Sequence, residues 1–427
     1  MAVCHHIHMP EKPESRRGLG HALARMTGRD PGEGHRVSTP LELLFDLTFV
    51  IAIGQASGQL ADLIAEGHVA AGFAGFSFAM FAICWAWINF SWFASAYDTD
   101  DWFYRVTTMV QMIGVLVLAL GLPAVFHSID TGAPLDNRVV VAGYVVMRVA
   151  MIAQWLRAAH DDPGRRRTAL GYVVCIGIAQ IGWIATAVFE LPLIVFVVVG
   201  PILYLIELGG PLFSERRYGW TPWHPHHIAE RYQLLTIITL GEVLLGTVNS
   251  VSVIVQKQGW STDAVMLMVA GTGLTLGLWW CYAILPSGPV LAKFRQRAWL
   301  WGYAHMIVFA SVAAMGAGLH VAGFSVEGTS DIGAVGTVLT VAIPVLIFSV
   351  LLFGLYSYLI RELDRLHVWL FAGCLVVLAL AVMLALAGAT LGLCLIVVML
   401  APAVVVVGFE TIGHRHEAEA LGRQLTE

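Results

Sequence analysis

The strongest constraint on this chain is a series of apolar stretches, each about 20 residues or longer, that recur along its 427 residues. An apolar helix of about 20 residues crosses the ~30 Å hydrocarbon core of a bilayer. Only 12% of the residues are charged, whereas a soluble domain averages about 25%. The sequence lacks the short alternating segments of a membrane β-barrel. We therefore predict an all-α, polytopic helical integral membrane protein.

Windows of high hydropathy, separated by polar breaks, predict about twelve transmembrane helices. The shortest of these breaks lie at residues 190–192 and 387–389. The predicted spans are residues 41–64, 69–96, 103–127, 138–157, 168–189, 191–213, 228–256, 262–285, 298–322, 332–360, 367–388 and 390–412.

The basic residues predict the orientation of the chain, because cytoplasmic segments of membrane proteins are enriched in Lys and Arg. With the N-terminus placed inside, 21 of the 24 basic residues fall in the two tails and the cytoplasmic loops. The opposite side holds only Arg138 and Lys257. Residues 1–38 are polar and lack the apolar region of a cleavable signal. We predict a membrane protein with both termini in the cytoplasm and the lipid bilayer as a partner.

A weak internal echo suggests that the membrane part consists of two parallel six-helix halves. Phe45 to Gln55 align with Tyr232 to Glu242 at an offset of 187 residues, and Trp87 aligns with Trp280 at 193. Chance similarity between apolar helices is the alternative explanation. The predicted segments are a polar basic tail at 1–38, a first half at 39–213, a connection at 214–227, a second half at 228–413 and a C-terminal tail at 414–427.

Two ionisable residues interrupt apolar runs, Glu242 in the seventh predicted span and Arg148 in the fourth. A charge at the centre of a spanning helix costs about 2.5–3.5 kcal/mol for Asp, Lys or Arg. Arg231 lies near the same helix face as Glu242 but roughly 16 Å away, at 1.5 Å per residue. We therefore expect the partner of Glu242 to come from another helix, with Arg148 as the candidate. A structural salt bridge and a proton or ion site both remain open.

Further polar residues accompany these two charges. Glu42 follows Thr39 and Pro40 and completes a capping box, whereas Asp46 lies one turn deeper and cannot cap. His305 is an intramembrane histidine that could relay protons or link helices. The candidate ion or substrate pathway consists of Glu42, Asp46, Arg148, Glu207, Arg231, Glu242 and His305.

A second polar set lies at the cytoplasmic ends of the spans. This cytoplasmic polar motif consists of Asp98, Asp101, Arg105, His227 and Glu230. Its aspartates lie in an acidic loop, where they either stabilise the N-terminus of the third helix through the helix dipole or attract cations. His226 and Glu230 are four residues apart and could share a metal, so the candidate metal ligands are His226, His227 and Glu230. Cys4, His5, His6 and His8 form a weaker metal motif in the tail. We predict no cofactor and no disulfide framework.

Several of these motifs resemble the bacterial low temperature requirement A (LtrA) family. They are LELLFDLTFV at 41–50, YDTDD at 97–101 with Arg105, HIAER at 227–231, TIITLGE at 236–242 and Tyr303-x-His305. The resemblance extends over about residues 38–390, and the departure is Tyr232-Gln233 where Phe-Gly is more usual. It implies a multi-pass protein of the bacterial inner membrane that is linked to growth at low temperature. It also implies that the shared polar set comprises Glu42, Asp46, Asp98, Asp101, Arg105, Arg148, His227, Glu230, Arg231, Glu242 and His305.

Three functions are compatible with these patterns. The leading hypothesis is an ion- or proton-coupled transporter, or a channel-like protein, that acts on an unknown small ion or solute. The alternatives are a non-catalytic membrane protein that supports growth in the cold or under stress and, less favoured, an intramembrane metal-dependent enzyme. We expect no catalytic activity. We also expect no nucleic-acid binding, since the basic residues are distributed as topology signals. A homo-oligomer is compatible with the sequence.

Overall fold

The structure is a computed structural model that describes residues 23–34, 36–362 and 365–426, and this part of the chain is helical with no strand. Twelve of its helices are long and apolar enough to cross a membrane, as predicted. The helices are α1 (Pro40–Ala65), α2 (Val69–Tyr97), α3 (Trp102–Thr131), α4 (Arg138–Asp161), α5 (Arg166–Val188), α6 (Leu193–Tyr218), α7 (Pro225–Gln258), α8 (Thr262–Ala283), α9 (Ser287–Lys293), α10 (Ala298–Glu327), α11 (Gly333–Ile360), α12 (Arg365–Leu386), α13 (Leu391–Gly408) and α14 (His414–Thr426). All but α9 and α14 are spanning helices.

Local sequence signals set the ends of several helices. Thr39 caps α1 in a complete capping box with Glu42, and the side chain of Asp101 accepts a hydrogen bond from the Tyr104 backbone at the start of α3. At the two short predicted breaks, Glu190 and Gly388 adopt positive φ angles of 44° and 82°, which turn the chain sharply. Both predicted breaks are present in the structure.

The connection and the tail differ from the predicted boundaries. The connection predicted at 214–227 is shorter, because α6 continues to Tyr218 and α7 begins at Pro225. The predicted C-terminal tail contains the helix α14, which Lys293 ties to α9 by donating to the Gln424 carbonyl at 2.9 Å. A polar segment with one apolar stripe is helical once that stripe is covered, and Ala420 is buried there. The cysteine and histidines at positions 4–8 lie outside the described residues.

The order of helix neighbours is similar in the two predicted halves. Helix α1 packs against α2 and α3, and the contacts continue from α3 to α4, α5 and α6. Helix α7 packs against α8 and α10, and the contacts continue from α10 to α11, α12 and α13. Helix α13 additionally packs extensively against α8. The duplication itself stays a prediction. Between the halves, helices α1 and α2 contact helices α7 and α10.

Close helix packing in the first half depends on glycine. Gly114 of α3 and Gly143 of α4 face one another, so that a Cβ atom on Gly143 would lie 2.5 Å from the Gly114 carbonyl oxygen and 2.5 Å from the Leu118 nitrogen. Both atoms belong to the backbone and cannot move aside cheaply. By contrast, a Cβ atom on Gly177 of α5 would meet no atom within 4 Å. Small residues let membrane helices approach this closely.

We predict that Gly143→Ala destabilises the protein by about 1–3 kcal/mol, the usual cost of overpacking. The matched control Gly177→Ala should be neutral or stabilising by about 0.5–1 kcal/mol, since alanine favours helices. Thermal unfolding of the purified protein in detergent measures both. Equal melting temperatures for the two variants would contradict the close α3–α4 contact.

We also predict that both terminal segments lie in the cytoplasm. The backbone of Met26 donates to Asp161 at the end of α4, while α14 packs beside α9, so both segments lie at the same end of the bundle. A fluorescent protein fused after Glu427 should therefore fluoresce, and a periplasmic phosphatase fused there should be inactive. Insertion of the same reporters at Gly67, in the loop after α1, should give the opposite pattern. The reverse result at either site would overturn this orientation.

Candidate functional site

Two buried ion pairs link α1 and α7 near the N-terminal ends of both helices. The imidazole Nε2 of His227 lies 3.2 Å from both carboxylate oxygens of Glu42. One turn deeper, Arg231 Nη2 donates to Asp46 Oδ1 at 2.7 Å. All four side chains are 0% exposed. Both acids on α1 and both bases on α7 are four residues apart, so each set shares one helix face. We call these four residues the charge ladder.

Helix α2 supplies further hydrogen bonds to the charge ladder. Trp87 donates its indole N–H to Asp46 Oδ1 at 2.7 Å, and its ring lies 5.5 Å from the Arg231 guanidinium carbon. Arg231 also donates to the Ser91 hydroxyl at 3.2 Å. Among the residues that the structure describes, no partner satisfies Asp46 Oδ2, His227 Nδ1, or Arg231 Nε and Nη1. Such buried polar atoms cost about 1–3 kcal/mol each when unpaired, so the ladder is suited to hold a small polar species.

A cavity of about 780 Å³ with several ionisable groups in its lining lies beside the ladder at the start of α7. His226 and Glu230, which line it, are one and three residues from His227. Its other ionisable lining residues are Glu33, Arg36, His224 and Arg295. The cavity therefore presents charges of both signs next to the first pair of the ladder. We call it the vestibule.

Burial lowers the pKa of two basic residues that line the vestibule, Arg36 and His224. The pKa of Arg36 is below its ordinary value because of burial and the nearby charge of Arg29. The Arg36 guanidinium donates to backbone carbonyls at the end of α2, including that of Ala94 at 2.7 Å. Burial also lowers the pKa of His224, whose Nε2 lies 2.9 Å from the Glu33 carbonyl. Arg36 and His224 thus fasten the segment before α1 across the end of the bundle.

Glu242 lies deeper on α7 and has a different environment. Its side chain is only 5% exposed. The nearest atoms to a Cβ built on Gly54 of α1 are its carboxylate oxygens, at 2.9 and 3.1 Å. The α7 backbone at Glu242 lies against Gly316 of α10. No described side chain forms a salt bridge with Glu242, whereas two other buried acids, Asp46 and Glu207, are paired.

The proposed pairing of Glu242 with Arg148 is wrong. Arg148 Nη2 lies 3.3 Å from Glu207 Oε2, and both side chains are buried between α4 and α6. Glu207 accepts further hydrogen bonds from Trp85 at 2.7 Å and Gln180 at 3.4 Å. The depth of Arg148 in its helix could not predict its pairing with Glu207, because the pairing depends on which faces of α4 and α6 contact each other.

Helix α2 separates the two clusters of buried charge. Trp85 points to Glu207 and Trp87 points to Asp46. Two residues advance a helix by about 200°, so the two indoles leave α2 on opposite sides at nearly the same depth. Neither tryptophan was predicted as a site residue, because a tryptophan in an apolar helix gives no sign in the sequence that its indole N–H binds a buried carboxylate. The echo of Trp87 at Trp280 was the one available signal.

His305 matches the expectation of a link between helices. Its Nε2 lies 2.9 Å from the Tyr282 hydroxyl of α8, and its Nδ1 lies 2.6 Å from the Trp301 carbonyl. Both ring nitrogens are thus engaged, and the side chain is fully buried. This geometry fits a neutral imidazole that holds α8 to α10, and it sets His305 apart from the charge ladder.

The acidic loop between α2 and α3 is divided among several partners. Asp101 forms an ion pair with Arg157 of α4 as well as capping α3. Burial opposes its ionisation, but the hydrogen bond and charge of Arg157 together with the backbone amides of Tyr104 and Ala24 outweigh it, so that the pKa of Asp101 is below its ordinary value. Arg105 pairs with the exposed Asp100 at 2.8 Å.

Asp98 of the same loop faces Arg36 and Arg29 at 3.9 and 4.0 Å. Burial, followed by the charge of Glu42, raises the pKa of Asp98 to about 6. The five residues predicted as one polar motif therefore belong to separate contacts. Asp98 and Asp101 lie in the loop itself, and Arg105 lies in the first turn of α3. His227 instead belongs to the charge ladder, and Glu230 accepts a hydrogen bond from the Ser38 backbone at 3.2 Å.

The proposed metal site does not form. His226 lies against Gly288, while His227 turns to Glu42 and Glu230 turns to Ser38. Within the described ranges, no group of three or more His, Cys, Asp or Glu residues could hold a metal ion. Spacing of four residues places His226 and Glu230 on one helix face, but tertiary partners draw the three side chains apart. Glu230 and Arg231 likewise contact other segments of the chain, at Ser38 and Asp46.

Comparison with known proteins adds a family to this geometry. The model of the bacterial low temperature requirement A protein (LtrA) family matches residues 37–402. An uncharacterized protein of Rhizobium meliloti (strain 1021), RA0937, is 30% identical over 216 residues, which cover 48% of this chain and 49% of that protein. The chain thus spans about half the length of this curated relative. No solved structure matches the chain. Because the family match covers the charge ladder, Glu242 and eleven complete spanning helices, the chain belongs to the bacterial low temperature requirement A family.

Proposed function

We propose that the protein is an ion- or proton-coupled transporter of the bacterial inner membrane, and that Glu242 is the group that carries the ion. The observation that carries this proposal is a buried carboxyl, 5% exposed, without a salt-bridge partner among the described residues. Ionisable groups inside membrane helices are costly and commonly mark ion pathways or proton relays. A bound proton or cation would neutralise Glu242 in each transport cycle.

The positions of the charged groups support a route along α1 and α7. The vestibule is lined by His226 and Glu230, which lie on either side of His227 in the chain, and the Glu42–His227 and Asp46–Arg231 pairs follow along α7. Glu242 is eleven residues beyond Arg231, or about 16 Å along the helix. The apolar side chains at levels between them include Phe49, Ile53 and Leu235, each at most 1% exposed.

This apolar layer favours a carrier over an open channel. An ion that passes from the charge ladder to Glu242 has to cross packed side chains, which can open only if α1 and α7 move relative to each other. Transporters with sites near the bilayer midplane work by such rocking of one helix bundle against another. The ladder lies at the interface where α1 and α2 meet α7 and α10, so its ion pairs would change during this motion. The transported small solute would enter through the vestibule.

We predict that Glu242→Gln abolishes ion-coupled flux, because the amide keeps the size of the side chain but can neither carry a proton nor neutralise a cation. The measurement is flux in proteoliposomes, with a pH-sensitive dye for protons and tracers for Na⁺ and K⁺. The matched control is Glu66→Gln, at an exposed position in the turn after α1, which should keep wild-type flux. Wild-type flux in Glu242→Gln, or no flux of any tested ion by the native protein, would contradict the proposal.

We predict that removal of the Arg148–Glu207 pair and removal of the Asp46–Arg231 pair have different effects on flux. Loss of one member of a buried pair costs about 3–5 kcal/mol, because the other charge is stranded. Arg148→Met should therefore lower the melting temperature, and Arg148→Met with Glu207→Gln should recover most of it, since glutamine still accepts from Trp85. This double variant should retain flux.

The corresponding change in the charge ladder is Asp46→Asn with Arg231→Met. It should also fold, judged by melting temperature and a monodisperse profile in detergent, but it should lose flux. If the Asp46/Arg231 double variant transports as well as the Arg148/Glu207 double variant, the ladder serves only to hold helices together.

A further inference from the structure

We propose that the ion bound at Glu242 is a proton, and that the carboxyl is reached from the lipid through a glycine-lined crevice between α1 and α7, where hydrophobic carbodiimides can modify it. This inference rests on the proposed function, which leaves the ion open. It assigns the chemical class of the ligand and a reactive position that can be mapped without measuring transport.

The crevice is formed by positions where side chains are missing. Gly54 of α1 lies directly against the Glu242 carboxylate. One turn further on α1, a Cβ atom on Gly58 would meet no atom within 4 Å, and the same holds for Gly241 of α7. Gly54, Gly58 and Gly241 are all partly exposed. Glu242 is thus a carboxyl more than nine-tenths buried that borders open space rather than a packed core.

The helix faces on either side of this crevice are those of lipid-facing segments. Ile51 of α1 is 56% exposed, and Leu245 and Val248 of α7 are 50% and 55% exposed. In a helix long enough to cross a membrane, exposed aliphatic side chains at this depth contact the acyl chains of lipids. An apolar molecule dissolved in the bilayer can therefore approach Glu242 without crossing the protein.

The contacts of Glu242 favour a proton over a metal cation. Cations such as Na⁺ and Ca²⁺ are held by several oxygen ligands, supplied by carboxylates, carbonyls or water. The Glu242 carboxylate lies against Gly54, which brings no side-chain oxygen, and among the described residues no group of three or more His, Cys, Asp or Glu residues could hold a metal ion. A proton needs only the carboxyl itself, and the neutral acid suits contact with lipid.

Apart from His320, the titratable groups on α1 and α10 lie well along their helices from the carboxyl. On α1 they are Glu42, Asp46 and Asp62, each at least eight residues from Gly54, or about 12 Å or more along the axis. On α10, whose Gly316 contacts Glu242, they are Tyr303, His305 and Glu327, each at least eleven residues from Gly316, or about 16 Å or more. On α8 they are Asp263, Cys281 and Tyr282.

His320 is placed one turn beyond Glu242. Its imidazole lies against Gly246, with Nε2 3.2 Å from the position of a Cβ atom there. Because Gly246 is four residues after Glu242, His320 lies on the side of Glu242 away from the charge ladder. It is only partly buried. His320 is thus the group placed to exchange a proton with Glu242 on the far side.

The reaction with dicyclohexylcarbodiimide requires the protonated carboxyl. The acid proton goes to one nitrogen of the carbodiimide, and the carboxylate oxygen forms a bond to its central carbon as one C=N π bond is consumed. The resulting O-acylisourea rearranges to a stable N-acylurea by transfer of the acyl group from oxygen to nitrogen. The protein thereby gains the whole mass of the reagent, and no other reactant is consumed.

The test is treatment of the native protein in liposomes with dicyclohexylcarbodiimide, followed by peptide mass spectrometry. We expect the added mass on Glu242, and no added mass at that position in Glu242→Gln. Above the pKa of the carboxyl, labelling should fall by about tenfold per pH unit, as the acid form does. Added Na⁺, K⁺ or Li⁺ should leave the labelling rate unchanged, and a water-soluble carbodiimide should label Glu242 much more slowly.

Each contrary result has a distinct meaning. Protection by Na⁺, K⁺ or Li⁺ would overturn the assignment of a proton. An unlabelled Glu242 in a protein that still shows Glu242-dependent flux would overturn the access from lipid while leaving the transport proposal intact. Normal labelling in a protein without flux would overturn the transport proposal and leave Glu242 as a lipid-accessible acid.

Discussion

The pairing of buried charge is the constraint on which the arrangement of this bundle depends. Carboxylates of α1 and α6 meet bases of α7 and α4, in the charge ladder and in the Arg148–Glu207 pair. Removal of a single partner from such pairs is strongly destabilising, so they fix which helix faces meet. The ladder thereby sets the contact between the first and second halves. Against this background, Glu242 differs as a buried acid for which the described residues provide no salt bridge.

The architecture was largely predictable, because each signal is local. All twelve spans follow from runs of apolar residues, and the capping role of Glu42 follows from Thr39 three residues before it. The presence of buried charge was predictable for the same reason, since Asp46, Arg148, Glu207 and Glu242 each interrupt an apolar run. Their depth along the helices follows from counting residues.

The pairing of these charges was not predictable, because it depends on the rotation of each helix about its axis and on which helices are neighbours. Arg148 and Glu242 are both deep within their spans, yet they lie on helices that do not face one another, and Arg148 meets Glu207. In the same way, His226, His227 and Glu230 have the spacing of metal ligands but face three different partners. Side chains on one helix face can bind the same metal ion, but only if their tertiary contacts leave them pointing to a common position.

The two indoles of α2 have a consequence for how the protein could respond as a unit. Trp85 and Trp87 hold carboxylates on opposite flanks of one rigid helix. A twist of α2 by a few tens of degrees would lengthen both N–H···O contacts together, although they belong to clusters without a common ionic partner. The Arg148–Glu207 pair and the charge ladder are thus connected through the hydrogen bonds of a single helix.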